Sequence, residues 1–252
     1  MGEFSIKIAG KVIRVKSLFD STRDYCRQYL SEETPDYCVE VVREDLAFEQ
    51  EALRQEALEE GIRIRVFTDP FLDRTAIQRK TAEFLFDRDV LMTHGSTVAV
   101  DGKAYLFTAK CGTGKSTHTR LWRQVFGERA VMINDDKPLL RVTEKGVEAY
   151  GTPWNGKHRL GSNTKAPLKA ICILERSKEN HIERITPVQA LAMLMQQSHR
   201  PADAAGKLAF LELLDRMIPH LKFYRLGCNM DPEAAIVAYE AMSGQKYEGD
   251  WK

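Results

Sequence analysis

Residues 108–117 read TAKCGTGKST, and the fold turns on whether this is a phosphate loop or an ordinary strand–turn–helix. A P-loop is written G-x-x-x-x-G-K-[ST]. Gly114, Lys115 and Ser116 satisfy its second half, while Ala109 stands where the first glycine belongs. The requirement behind the pattern is physical. Backbone N–H groups must converge on phosphate oxygens, which takes glycine where the chain bends tightly or approaches the ligand closely. The loop must open into a helix, whose first turn favours anions. A lysine then reaches the β- and γ-phosphates, and a hydroxyl binds Mg2+. Here Gly112 and Gly114 supply the flexibility, Lys115 the charge and Ser116 the hydroxyl. Ala104 to Thr108 predicts the strand, and STHTRLWRQVFG predicts the helix, with Leu121, Trp122, Val125 and Phe126 at helical spacing. Ala109 fits if its position needs no positive φ. We read the stretch as a P-loop, with Cys111 filling one loop position.

Upstream, LMTHGSTVAVDGKAYLFTA reads as two β-rich runs joined at Asp101-Gly102, a strong hairpin signal. Downstream, the apolar strand AVMIN ends in Asp135-Asp136, and LLRVTEKGVEAYG reads as a hairpin turning at Lys145-Gly146. The strand LKAICIL, a helix from Pro187 to about residue 197, a helix over 203–218, the strand KFYRLGC and a helix begun by Asp231-Pro232 complete the chain. Hairpins mixed with helices around one phosphate turn predict an α/β domain with a mixed sheet over 91–252. Residues 1–90 predict a separate small α/β unit. In it, FSIKIAGKVIRV is a hairpin turning at Gly10-Lys11, residues 21–31 are helical, and YCVEVV is a short strand. An acidic helix closes at Gly61, and a second helix starts with Asp69 as N-cap and Pro70 at its first position.

Composition bounds the function. The chain has 252 residues, 43% of them hydrophobic, with Lys+Arg 37 against Asp+Glu 36 and a net charge of +1. No basic stripe marks a nucleic-acid face. No run approaches the roughly 18 apolar residues of a membrane span, and the start MGEFSIKIAG has no signal core. Ile6 stands where a myristoylation pattern needs Ser or Thr. Cys26, Cys38, Cys111, Cys172 and Cys228 form no C-x-x-C pair, so we expect a reduced, cytoplasmic protein without a zinc site. EQEALRQEALEE and ERSKENHIER read as solvated faces.

The strand-end Asp135-Asp136 sits where P-loop enzymes place a carboxylate for Mg2+. A second carboxylate beside it can accept a proton from an attacking hydroxyl. With His94-Gly95 leading into the strand pair, the series HGSTVAV, CGTGKST and NDDK resembles the catalytic domain of HPr kinase/phosphorylase. The loop is also similar to that of ATP-dependent phosphoenolpyruvate carboxykinase, which shares that unusual P-loop fold. GTPWNGKHRLGSN, APLKAICILER, QSHRP and CNMDPEAA look like a group of bacterial HPr-kinase-like proteins, some assigned kinase roles toward serines of peptides. The resemblance spans roughly 91–242.

It implies a mixed-sheet P-loop kinase using ATP and Mg2+ on a hydroxyl acceptor, either a serine of a protein or peptide or a small-molecule alcohol. It also implies a homo-oligomer. Residue by residue, Gly112, Thr113, Gly114, Lys115, Ser116 and Thr117, with Cys111 among them, would surround the ATP phosphates. Ser116 and Asp136 would serve the metal, Asp135 would take the hydroxyl proton, and His94 would neighbour the transferred phosphate. Where HPr kinase carries Glu after the loop Ser, this chain has Thr117. In the glycine-rich GTPWNGKHRLG (151–161), Lys157 and Arg159 are either cations for the transferred phosphoryl group or charges on a solvated loop. Trp154 is either a stacking surface for a base or substrate, or a buried anchor. Arg200 is a weaker candidate cation. Two other readings stand beside the kinase: a non-catalytic nucleotide-binding regulator and a carboxykinase-type enzyme.

Overall fold

A computed structural model describes residues 2–199, 201 and 203–249. The chain divides into two compact units, Met1–Arg88 and Asp89–Lys252. In the first, β1 (Gly2–Ile8), β2 (Lys11–Ser17) and β3 (Tyr37–Glu40) form a sheet in the order β1-β2-β3, with α1 (Ser21–Tyr25), α2 (Arg43–Glu59) and α3 (Asp69–Phe86). The hairpin turns at Ala9-Gly10, one residue earlier than expected, because both take positive φ (49° and 76°) as a type I′ turn requires. The expected helix over 21–31 breaks after Tyr25 into a 3-10 turn at Arg27–Tyr29. Thr68, not Asp69, is the N-cap of α3. Glu49, 3% exposed, pairs with Arg79 at 2.6 Å. A carboxylate this deep is tolerable only beside such a partner.

The second unit holds a mixed sheet of nine described strands. Its elements run β4 (Val90–Met92), β5 (Ser96–Val100), β6 (Lys103–Thr108), α4 (Lys115–Phe126), β7 (Ala130–Asn134), β8 (Leu139–Thr143), β9 (Gly146–Tyr150), β10 (Lys165–Arg176), β11 (His181–Ile185), α5 (Pro187–Gln196), α6 (Ala204–Met217), β12 (Lys222–Cys228) and α7 (Glu233–Ser243). The β8–β9 turn is at Glu144-Lys145, and Gly146 already opens β9. HIER, the end of the stretch read as a solvated face, belongs to strand β11, antiparallel to β12 and mostly exposed.

β10 organises the sheet. Its first residues pair antiparallel with β9, which joins the β4-β8-β9 meander. Its later residues lie parallel to both β6 and β12. An irregularity between Leu168 and Ala170 marks the crossing, where a bulge lets one strand bend from one set of partners to the next.

One face of the sheet is covered by α4 and α7. Leu121, Trp122 and Phe126 are buried against Val98, Val100, Tyr105 and Phe107, with Ala238, Tyr239 and Met242 of α7 beside them. Ring centroids lie 5.0 Å apart for Tyr105–Trp122 and 4.7 Å for Phe126–Tyr239. Truncating one such core aromatic costs about 3–5 kcal/mol. Trp122 Nε1 donates to His118 Nε2 at 3.0 Å. Burial lowers the His118 pKa to about 3, so the ring is neutral and carries its proton on Nδ1. Among the described residues, no helix is long and apolar enough to cross a membrane.

Candidate functional site

Strand direction decides which residues meet. β5 runs antiparallel to both β6 and β7, so β6 and β7 run the same way, and β10 and β12 are parallel to β6. The ends of β6, β7, β10 and β12 and the start of β5 therefore share one edge. That edge collects the loop at 109–114, Asp135-Asp136, His94-Gly95 and Arg176. In open α/β sheets, the region beyond the carboxyl ends of parallel strands is where ligands bind.

Ala109, 1% exposed, does not take positive φ, which removes the objection to a missing first glycine. Gly112 (φ +74°) and Gly114 (φ +123°) do take it. A Cβ on Gly112 would meet nothing within 4 Å, so glycine is needed there for conformation, not for space. Thr113 N donates to Lys110 O at 3.3 Å, closing a turn around Cys111 and Gly112. Gly114 caps α4, whose first residue is Lys115. Lys115 is only 8% exposed, and its ammonium donates to Ala109 O at 2.9 Å. Ser116 and Cys111 are exposed, and Thr117 is half-buried. Thr108 Oγ1 donates to His94 O at 2.9 Å, tying the loop's strand to the segment before β5.

Asn134 controls the carboxylate pair. The β5–β7 register shifts between Thr97 and Val98, a bulge that bends β7 just where the pair leaves the sheet. Fully buried Asn134 accepts from Asp136 N at 2.8 Å and Lys137 N at 2.7 Å through Oδ1. Its Nδ2 donates to Thr152 O, Thr152 Oγ1 and Trp154 O at 3.2, 3.0 and 3.3 Å. One amide thus shapes the turn bearing the acids and docks the loop over them. An Asn preceding the conspicuous acids, with a side chain able to bond the backbone two residues on, was the signal that sequence reading passed over.

The two acids differ. Asp135 is 4% exposed, and its Oδ1 accepts from Gly156 N at 2.7 Å. The Asp136 side chain is 32% exposed, with Oδ1 3.3 Å from His94 Nε2. Burial raises the Asp136 pKa; Asp135 adds to this, while Lys137 and Lys115 oppose it. Burial, then Lys137 and Lys115, lower the His94 pKa to about 2, so the imidazole is neutral near pH 7. The Lys115 ammonium acts on both groups. It is the electrostatic link between the loop and the acid–histidine pair.

The 151–161 loop closes over the end of β7. Asn155 Nδ2 donates to Thr152 O at 3.0 Å, Gly161 N donates to Asn155 Oδ1 at 3.0 Å, and Ser162 Oγ donates to Met132 O at 2.8 Å. Trp154, 4% exposed, is a buried anchor with no ring face open to a base. Lys157 and Arg159 are exposed beside Gly156, and Arg159 has positive φ (49°). Arg200 lies outside the described residues. Arg176, which sequence reading did not single out, donates from Nη2 to Gly112 O at 2.6 Å. A cavity of about 910 Å³ lies elsewhere, lined by Arg141, Lys145, Glu148, Arg216 and His220 among others, and none of the candidate residues borders it.

Neither a protein-family profile nor a curated protein matches the sequence. Among solved structures, the chain is similar to the HPr(Ser) kinase/phosphatase from Coxiella burnetii at 10% sequence identity and a TM-score of 0.33. The match covers 61% of this chain and 93% of that one. It marks a distant structural relationship and carries no argument about activity.

Proposed function

We propose that this chain is a Mg2+- and ATP-dependent kinase that transfers the γ-phosphoryl group to a hydroxyl of a protein or peptide serine or of a small alcohol. The observation that supports it is the meeting, at one sheet edge, of the Lys115 loop with the Asp135-Asp136 and His94 cluster. The residues fit the ligands. Gly112 and Gly114 hold backbone conformations that let N–H groups converge on an anion, and α4 begins at Lys115, so the positive end of its dipole lies at the loop. Among the described residues, no three His, Cys, Asp or Glu are arranged to hold a metal. Mg2+ needs few protein ligands when phosphates supply the rest. The exposed Ser116 hydroxyl and the Asp136 carboxylate would hold it, and its charge would offset that of the phosphates.

Lys115 binds the β/γ-phosphates, and the N–H groups of 112–117 orient them. As the acceptor oxygen bonds to phosphorus and the bond to the ADP oxygen breaks, the hydroxyl proton passes to Asp135. Neutral His94 stands beside the transferred group, and Lys157 and Arg159 supply positive charge from the loop. A second division of labour is favoured by the burial of Asp135 and by the raised pKa and greater exposure of Asp136. In that version Asp136 takes the proton and Asp135 holds the loop.

Lys115→Ala tests the assignment. A charge-assisted hydrogen bond is worth about 1.5–3 kcal/mol, so MgATP affinity should fall from about ten- to over a hundredfold by calorimetry, and transfer should nearly vanish. Wild-type affinity in this variant would defeat the P-loop assignment. ATP turnover that rises with an added hydroxyl acceptor separates a kinase from a nucleotide-binding regulator, and dependence on a β-keto acid would indicate a carboxykinase.

A further inference from the structure

We infer that Arg176 is a positioning residue for the phosphate loop, holding the Gly112–Thr113 peptide in the orientation that a nucleotide requires; this rests on the nucleotide reading above. β10 lies parallel to β6 with Ile173 opposite Thr108. β6 ends there and becomes the loop, whereas β10 continues to Arg176, whose register partner on the other side is Cys228 of β12. The backbone of Arg176 is thus held in a strand beside a loop that has left the sheet. From that position its guanidinium donates to Gly112 O at 2.6 Å, across 64 residues of sequence.

Gly112 is where such a tether matters. Its φ is +74°, and nothing lies within 4 Å of where its Cβ would be. Packing therefore does not restrain this residue, and glycine backbones move freely between conformations. In a planar trans peptide the carbonyl and the following N–H point in opposite directions. Holding the Gly112 carbonyl therefore fixes the direction of the Thr113 N–H. It also keeps the turn closed by Thr113 N and Lys110 O. Were this peptide to flip, the Gly112 carbonyl would leave Arg176 and the Thr113 N–H would leave Lys110 O, opening the turn that shapes the loop for the incoming phosphates. Arg176 prevents this from outside the loop, and because it is exposed, it adds positive charge next to the anion site.

The experiment has two readouts. The first is MgATP affinity by calorimetry for the wild type, Arg176→Ala, Arg176→Lys and Lys115→Ala. The second is the alkylation rate of Cys111, exposed in the same turn, followed by peptide mass spectrometry so that Cys38 is counted separately. Arg176→Ala should weaken MgATP binding about tenfold and speed Cys111 alkylation several-fold, with the thermal midpoint unchanged. Arg176→Lys, which can still donate one hydrogen bond, should recover part of both. Wild-type affinity or a wild-type Cys111 rate in Arg176→Ala overturns the positioning role; if Lys115→Ala still loses MgATP, the nucleotide reading survives. A wild-type protein that does not bind MgATP overturns both.

Discussion

Asn134 is the sharpest test of how the acid cluster is built. Asn134→Ala removes the acceptor for Asp136 N and Lys137 N and the donor to Thr152 and Trp154. Leaving buried polar groups unpaired costs about 1–3 kcal/mol each. The two N–H groups are only partly buried, so we take the low end for each and expect a loss of about 2–4 kcal/mol. Against a total stability of about 5–15 kcal/mol this is large, and in a unit of this size it lowers the thermal midpoint by very roughly 5–15 °C. Trp122, Trp154 and Trp251 all lie after residue 88, so tryptophan fluorescence during urea unfolding follows the second unit. Asn134→Asp sharpens the case. It keeps the Oδ1 acceptor but turns the Nδ2 donor into an oxygen facing the Thr152 and Trp154 carbonyls. Ionising that carboxyl is disfavoured in the folded state, so its folded pKa rises above the unfolded value of about 3.9. The folded protein then binds the proton more tightly. The deficit relative to wild type should grow as pH rises through the raised pKa and shrink toward pH 4, where the protonated carboxyl can donate again. Stability of Asn134→Ala within about 0.5 kcal/mol of wild type, or a pH-independent deficit in Asn134→Asp, would refute this account.

Asp136 is held in the fold with a raised pKa, so its ionisation opposes folding as pH rises; Asp136→Asn should raise the thermal midpoint at pH 8 and lose that advantage near pH 4, and a constant gain would contradict the assignment. If Asp135 is the proton acceptor and Asp136 serves the metal, Asp135→Asn should cut transfer about 10²–10⁴-fold with no rescue by excess Mg2+, while Asp136→Asn is partly rescued; initial rates across a Mg2+ series showing the reverse pattern would swap the two roles. A Cβ on Gly156 would sit 3.1 Å from Asp135 Oδ2 and 3.3 Å from its backbone oxygen. Gly156→Ala should therefore destabilise by about 1–3 kcal/mol and reduce activity along with stability, and a variant as stable and active as wild type would show that the loop yields without consequence.

Elements whose cause is local were legible in the sequence. The strand–turn–helix around Gly112 and Gly114 follows from an apolar run, two glycines and a helical apolar stripe. The Asp101-Gly102 hairpin follows from turn chemistry, both residues taking positive φ (51° and 72°). The helices beginning near Pro70, Pro187 and Pro232 follow from proline's fixed φ and missing N–H. Tertiary structure decided what distance in sequence conceals. β10 pairs with three strands at once, and charged HIERI becomes an edge strand because β12 offers a free edge, with no apolar alternation to announce it. Trp154 is an anchor because the 151–161 loop folds inward onto Asn134. The juxtapositions of Arg176 with Gly112 and of Asp136 with His94 join residues far apart in the chain. Turns and caps are settled by a few neighbouring dihedrals, so their residues declare them; strand register and the meeting of side chains at a sheet edge depend on pairings that no single segment encodes.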